Sequence, residues 1–262
     1  MATNTYREAT RIQTSMLAGL EKRLLIWIAE RLPAGVNSDH LTVLAGLAMA
    51  GGGICYWLGP RYPAAMLMAI AMLAINWFGD SLDGTVARVR HHERPRYGFY
   101  VDHVLDVIGI LMLFAGFALG GFMTPLIAAG FLIAYYLLMV EIALATHAVG
   151  TFRISFWKFG PTELRILLVI GTLRLIESPY VTIAGSRMLL FDVSGIIAIA
   201  AVFLTFLVSA AANTRHLFRL EPLPQRLESL DDPRRRGRSA LLVENPDHSE
   251  VVGSGSHLRS HA

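Results

Sequence analysis

Cysteine is nearly absent from this chain. Cys55 is the single one among 262 residues, so no intrachain disulfide can form. It falls inside an apolar run and reads as a small buried hydrophobe. Charge is sparse as well: 16% of residues are Asp, Glu, Lys or Arg, against 54% hydrophobic. The net charge of +3 is modest, and no nucleic-acid partner is expected. No short charged-then-apolar segment with a small-residue cleavage site lies in residues 1–35, so a removable signal peptide is not expected either. What fills the chain instead is a series of apolar runs too long for a soluble domain.

Six such runs cover roughly 41–59, 64–87, 99–120, 124–147, 162–180 and 191–212. Each is near the ~20 residues that span a bilayer. Arg174 and Glu177 interrupt the fifth near one end. Basic residues cluster in alternate loops: Arg88, Arg90, Arg94 and Arg96 after the second run, and Arg153, Lys158 and Arg165 after the fourth. Arg215, Arg219 and Arg226 join the same side, and the positive-inside rule then makes both termini cytoplasmic. The expected fold is an all-α, multi-pass integral membrane protein. Six transmembrane helices (36–220) are expected, in the inner membrane if the cell is bacterial. Residues 1–35 read as an amphipathic segment, with Leu17, Leu20, Leu24, Ile28 and Leu32 at helical spacing and Trp27 as an anchor. It lies in the membrane interface or packs on the cytosolic end of the bundle. Residues 221–262 turn polar and Pro- and Arg-containing and read as a disordered cytosolic tail.

The polar residues that break this pattern are concentrated between Asp80 and Asp106. Two aspartate pairs, Asp80/Asp83 and Asp102/Asp106, sit at the edges of the second and third apolar runs. Residues three or four apart share a helix face. At ~100° per residue, Asp80, Asp83, Gly84, Ala87 and Arg88 fall within an arc of roughly 140°. Gly98, Asp102 and Asp106 line one face of the next helix. Four carboxylates on two facing helices repel or stay protonated unless a cation lies between them. All-oxygen ligation favours Mg²⁺, Mn²⁺ or Ca²⁺. The alternative is a polar hairpin whose acids pair with Arg88, Arg90, Arg94 and Arg96.

Read whole, the stretch is Asp-x2-Asp-Gly-x2-Ala-Arg-x9-Gly-x3-Asp-x3-Asp, eight fixed residue types at defined gaps. It resembles the signature of the CDP-alcohol phosphotransferase (CDP-alcohol phosphatidyltransferase) family. The resemblance implies transfer of a phosphoalcohol from a CDP-linked donor to an acceptor alcohol, with release of CMP, in phospholipid or related phosphodiester synthesis. It implies a two-metal site for Mg²⁺ or Mn²⁺ held by Asp80, Asp83, Asp102 and Asp106, with Asp106 also the general base. Gly84, Ala87 and Arg88 would contact the CDP donor, and the family fold would be six transmembrane helices around a polar, cytosol-facing cavity. Gly98, lacking a side chain, is expected on its own chemistry to let the two helices pack closely. Ser38-Asp39-His40-Leu41-Thr42 resembles the family's Pro-Asn-x-x-Thr stretch, adding Thr42 and Asp39 as donor contacts. Ser38 and Asp39 depart from that pattern, and either residue can instead be the N-cap of the first membrane helix.

Glu141, inside the fourth run, lines the acceptor cavity or makes a helix–helix hydrogen bond. Arg153, Lys158 and Arg165 grip an anionic acceptor or simply obey the positive-inside rule. His91 and His92 read as solvated loop residues, and His103 as a hydrogen-bonding neighbour of Asp102. The partners are thus a CDP-linked donor, an acceptor alcohol and membrane lipids, and a homodimer is compatible with them. Two other functions remain open, a divalent-cation transporter using the acidic cluster and a catalytically inert scaffold of the same fold.

Overall fold

Within hydrocarbon, every backbone N–H and C=O must find its partner inside the protein, so long apolar runs fold as helices. The computed structural model follows this rule; it describes residues 10–12, 18–149, 151–153 and 161–221. In chain order the elements are β1 (Thr10–Ile12), α1 (Ala18–Arg31), α2 (Ser38–Leu58), α3 (Ala64–Val89), α4 (Pro95–Leu119) and α5 (Pro125–Val149). They continue with β2 (Thr151–Arg153), α6 (Pro161–Glu177), β3 (Tyr180–Ile183), β4 (Ser186–Leu189) and α7 (Leu190–Leu220). The chain divides into two units, Met1–Leu217 and Phe218–Ala262, and the described residues of the second are 218–221. The polar tail beyond them lies outside the described residues.

Five helices, α2, α3, α4, α5 and α7, are long and apolar enough to cross a membrane. The architecture is an all-α membrane fold. The expected fifth span, 162–180, is shorter: α6 has 17 residues. An unexpected antiparallel hairpin follows, pairing Tyr180 with Leu189 and Ile183 with Ser186. Its turn residues, Ala184 and Gly185, have φ of 50° and 80°, the paired positive values that a tight two-residue hairpin turn demands.

The N-terminal helix spans Ala18–Arg31, and ahead of it Thr10–Ile12 forms a strand parallel to Thr151–Arg153. In α1, Leu25 and Ala29 are buried against Leu41 of α2 and Leu82 and Val86 of α3. Ile28 and Leu32 flank that contact, while Leu24 and Trp27 are exposed and Arg31 lies over the Trp27 ring. The buried stripe is therefore rotated from the expected one.

α2 is the central element, packed against both α3 and α4. Its cap is Asn37, one residue before the expected Ser38 and two before Asp39. The Asn37 side chain accepts from the His40 N–H at 3.1 Å, and His40 Nδ1 accepts from the Asn37 N–H. Glycines bring the helix backbones together. A side chain at Gly79 would collide with the Leu41 carbonyl, one at Gly53 with the Met112 backbone, and one at Gly116 with Gly53. Gly98, the expected packing glycine, faces open space instead. It sits in the first turn of α4, ahead of the crossing.

The end of the bundle away from the aspartates holds an aromatic core. Tyr56, Phe114, Phe117, Phe122 and Phe191 pack around Leu113 and Leu175. Thr172 gives its proton to the Leu168 carbonyl at 2.7 Å, which leaves the Tyr56 hydroxyl to donate to Thr172.

Candidate metal centre

The site grows out of the order α3–α2–α4. α3 presents Asp80 and Asp83, α4 presents Asp102 and Asp106, and the small residues Ala45 and Gly46 of α2 form the wall between them. Carboxylate oxygens of Asp80, Asp102 and Asp106 lie within 4.8 Å of one another. Thr42, Met49, Asn76 and Leu105 complete the lining of a cleft with room for about one water-sized sphere. Three carboxylates at that spacing, with hard oxygen donors only, suit a divalent cation.

Asp83 lies outside this group. The Thr42 hydroxyl is 2.8 Å from Asp83 Oδ2 and 3.0 Å from the Ser38 carbonyl, with one proton for the two. A carboxylate accepts more strongly than a neutral carbonyl, so the proton belongs with Asp83. The structure thus brings three of the four aspartates together and sets the fourth against Thr42.

A cation from α6 reaches the cluster through Asp80. Arg165 Nη2 donates to Asp80 Oδ2 at 2.6 Å, and its Nε donates to Asn76 Oδ1 at 2.8 Å. Asn76, buried at 3% exposure, gives its own amide proton to the Ala45 carbonyl at 3.0 Å, which fixes which end faces Arg165. Sequence reasoning missed this contact. The only cue was an arginine at the start of a short apolar run.

Arg88, Arg90 and Arg94 make further contacts around the α3–α4 loop. Arg88 donates to Thr85 Oγ1 at 3.2 Å, and a side chain at Gly84 would meet its guanidinium at 3.3 Å. Arg90 donates to the carbonyls of Leu32 and Pro33 at 3.0 and 3.1 Å, tying the end of α1 to the end of α3. Arg94 pairs with Asp39 and stacks over Tyr97. Donating to the Asp39 carboxylate raises the Arg94 pKa above its ordinary value. Asn37, Ser38, Asp39, Ala87, His92 and Arg94 border a second, polar cleft at this end of α2 and α3.

The other expected residues make contacts of their own. The Glu141 carboxylate is buried and accepts from Ser209 at 2.9 Å and Asn213 at 2.7 Å, both on α7, which is the helix–helix bond weighed above. His103, expected beside Asp102, places Nδ1 3.8 Å from Asp102 Oδ2 and 2.9 Å from the Phe99 carbonyl, with its ring against that of Phe99. His91 and His92 are exposed. Lys158 and the side chain of Arg153 lie outside the described residues.

Fold and site together define a membrane protein with an acidic, metal-suited cleft between its helices. The chain belongs to the CDP-alcohol phosphatidyltransferase family, whose sequence model matches residues 37–207. The family's class of reaction is phosphoalcohol transfer from a CDP-alcohol. No relative was found among curated proteins.

Proposed function

We propose that the protein transfers a phosphoalcohol group, phosphatidyl or similar, from a CDP-alcohol to an acceptor alcohol and releases CMP, in phospholipid or related phosphodiester synthesis. The observation that carries this reading is the set of Asp80, Asp102 and Asp106 oxygens within 4.8 Å of one another, in a chain of this family. Those three side chains would hold Mg²⁺ or Mn²⁺, and a second ion would draw on Asp83. A bound divalent cation supplies charge stabilisation for the oxygens on either side of the reacting phosphorus.

The remaining work falls to the chain's own residues. Asp106 takes the proton of the acceptor hydroxyl, since an alcohol is a weak nucleophile until a positioned base removes that proton. The acceptor oxygen forms its bond to the donor phosphorus as the bond to CMP breaks. The donor lies along Gly84, Ala87 and Arg88. Arg88 contributes a guanidinium matched to phosphate oxygens. Thr42 holds Asp83 from the α2 side, and Asp39, kept in place by Arg94, borders the nucleotide end. On the other flank Arg165, with Arg153 and Lys158, serves an anionic acceptor.

The same reading sets the protein in the membrane. The loop basic residues face the cytosol, α6 completes a six-helix bundle, and Trp27 anchors α1 at the interface. CMP release that disappears with a chelator and returns with Mg²⁺ or Mn²⁺ is the test.

A further inference from the structure

Outside the family-matched segment, the polar side chain with the most demanding contacts is Glu21 of α1. One of its oxygens, Oε1, accepts three hydrogen bonds: from Trp77 Nε1 at 3.0 Å, Ser81 Oγ at 3.3 Å and Thr162 Oγ1 at 2.7 Å. A partly buried carboxylate is costly unless donors surround it, and here they do. Anchoring α1 does not require them, because Leu25 and Ala29 already pack on Leu82 and Val86.

The three donors sit at informative places. Trp77 and Ser81 belong to α3, and Ser81 follows Asp80 directly. Thr162 opens α6, one turn before Arg165. A single oxygen therefore joins the two helices whose side chains meet in the Asp80–Arg165 pair. That pair depends on the placement of α6 along α3, since Arg165 must reach Asn76 Oδ1 and Asp80 Oδ2 at 2.8 and 2.6 Å together.

We propose that Glu21 is a positioning residue that holds Arg165 against Asp80 by clamping the start of α6 to α3. The inference rests on the function proposed above only for its consequence, that a cation held at Asp80 competes with the divalent ion. Loosening Arg165 removes a competing charge and strengthens cation binding; fixing it does the reverse.

The test is calorimetric titration of the purified full-length protein with Mn²⁺ alone, with CMP release measured alongside. Glu21→Ala is expected to tighten Mn²⁺ binding about threefold, and Arg165→Gln roughly tenfold. The effect of Glu21→Ala should vanish in the Arg165→Gln background, because the two changes act on one contact. Glu21→Gln keeps an acceptor oxygen for the three donors and should stay within about twofold of the wild type. Where Glu21→Ala does not fold, Thr162→Val, which removes the shortest of the three bonds, is judged by the same criteria. An unshifted affinity, an equal shift in both backgrounds, or a Glu21→Gln variant as altered as Glu21→Ala would overturn the proposal. A wild type that binds Mn²⁺ but releases no CMP from any donor would overturn the transferase reading instead, and the Mn²⁺ comparison would still decide the role of Glu21.

Discussion

Arg165 of α6 donates to Asp80 of α3 at 2.6 Å, with the two side chains only 13% and 22% exposed. Solvent screens such a pair weakly, so the guanidinium offsets a large part of the charge that three clustered carboxylates would otherwise carry. Removing it as Arg165→Gln leaves Asp80 uncompensated. The metal-free protein should lose about 2 kcal/mol of stability, and added Mn²⁺ should restore more of it than in the wild type. Thermal unfolding in detergent, with and without Mn²⁺, measures both; a variant as stable as the wild type in chelator would contradict the charge-balancing role.

Asp80 and Asp106 share the cluster but are proposed to do different work. Asp106→Asn keeps the shape and an oxygen ligand while removing the base, and should lower turnover at least ~100-fold while retaining much of the metal-dependent donor binding. Asp80→Asn should weaken metal affinity, and excess metal should recover part of its activity. The separation is partial, because coupled carboxylates do not act additively. Donor calorimetry beside CMP release tells the two apart, and substantial turnover by Asp106→Asn would remove it as the base.

The α2–α4 crossing depends on backbone contact at Gly53 and Gly116. Gly53→Ala drives a methyl into the Met112 backbone and should cost about 1–3 kcal/mol, as overpacking does elsewhere. Gly98→Ala points into open space and should stay within about 0.5 kcal/mol of the wild type. Thermal denaturation of the two variants side by side checks the contrast; equal losses would place the close approach in the wrong helix pair.

These glycines show where sequence reading stops. Periodicity placed Asp80 and Asp83 on one helix face and Asp102 and Asp106 on another, because a helical face is a local property. It did not show that α2 lies between those helices, and so it gave the close packing to Gly98 instead of Gly53, Gly79 and Gly116. It took Asp83 as converging with the others, since spacing cannot reveal that Thr42 of α2 stands beside it. The cap at Asn37 lies one or two residues before the expected positions for a local reason: Asn37, Ser38 and Asp39 are all good caps, and only the reciprocal bond with His40 selects among them. The Arg165–Asp80 pair joins residues 85 positions apart, and the Glu21–Thr162 bond residues 141 apart. Neither distance leaves a mark in a single sequence. The fifth run, 162–180, extends past the end of α6 at Glu177, and the hairpin Tyr180–Leu189 falls largely in the gap before the sixth run, where two four-residue strands leave little periodicity to read.

The central claim is that the aspartate cleft carries out phosphoalcohol transfer. Its most direct test is CMP release by the purified protein across a panel of CDP-linked donors and acceptor alcohols, in Mg²⁺ or Mn²⁺ and again in chelator. The account predicts CMP formation with at least one donor–acceptor pair, lost in chelator and recovered with either ion. Divalent-ion flux through reconstituted protein without CMP from any pair, or full CMP formation in rigorously metal-free conditions, would contradict it.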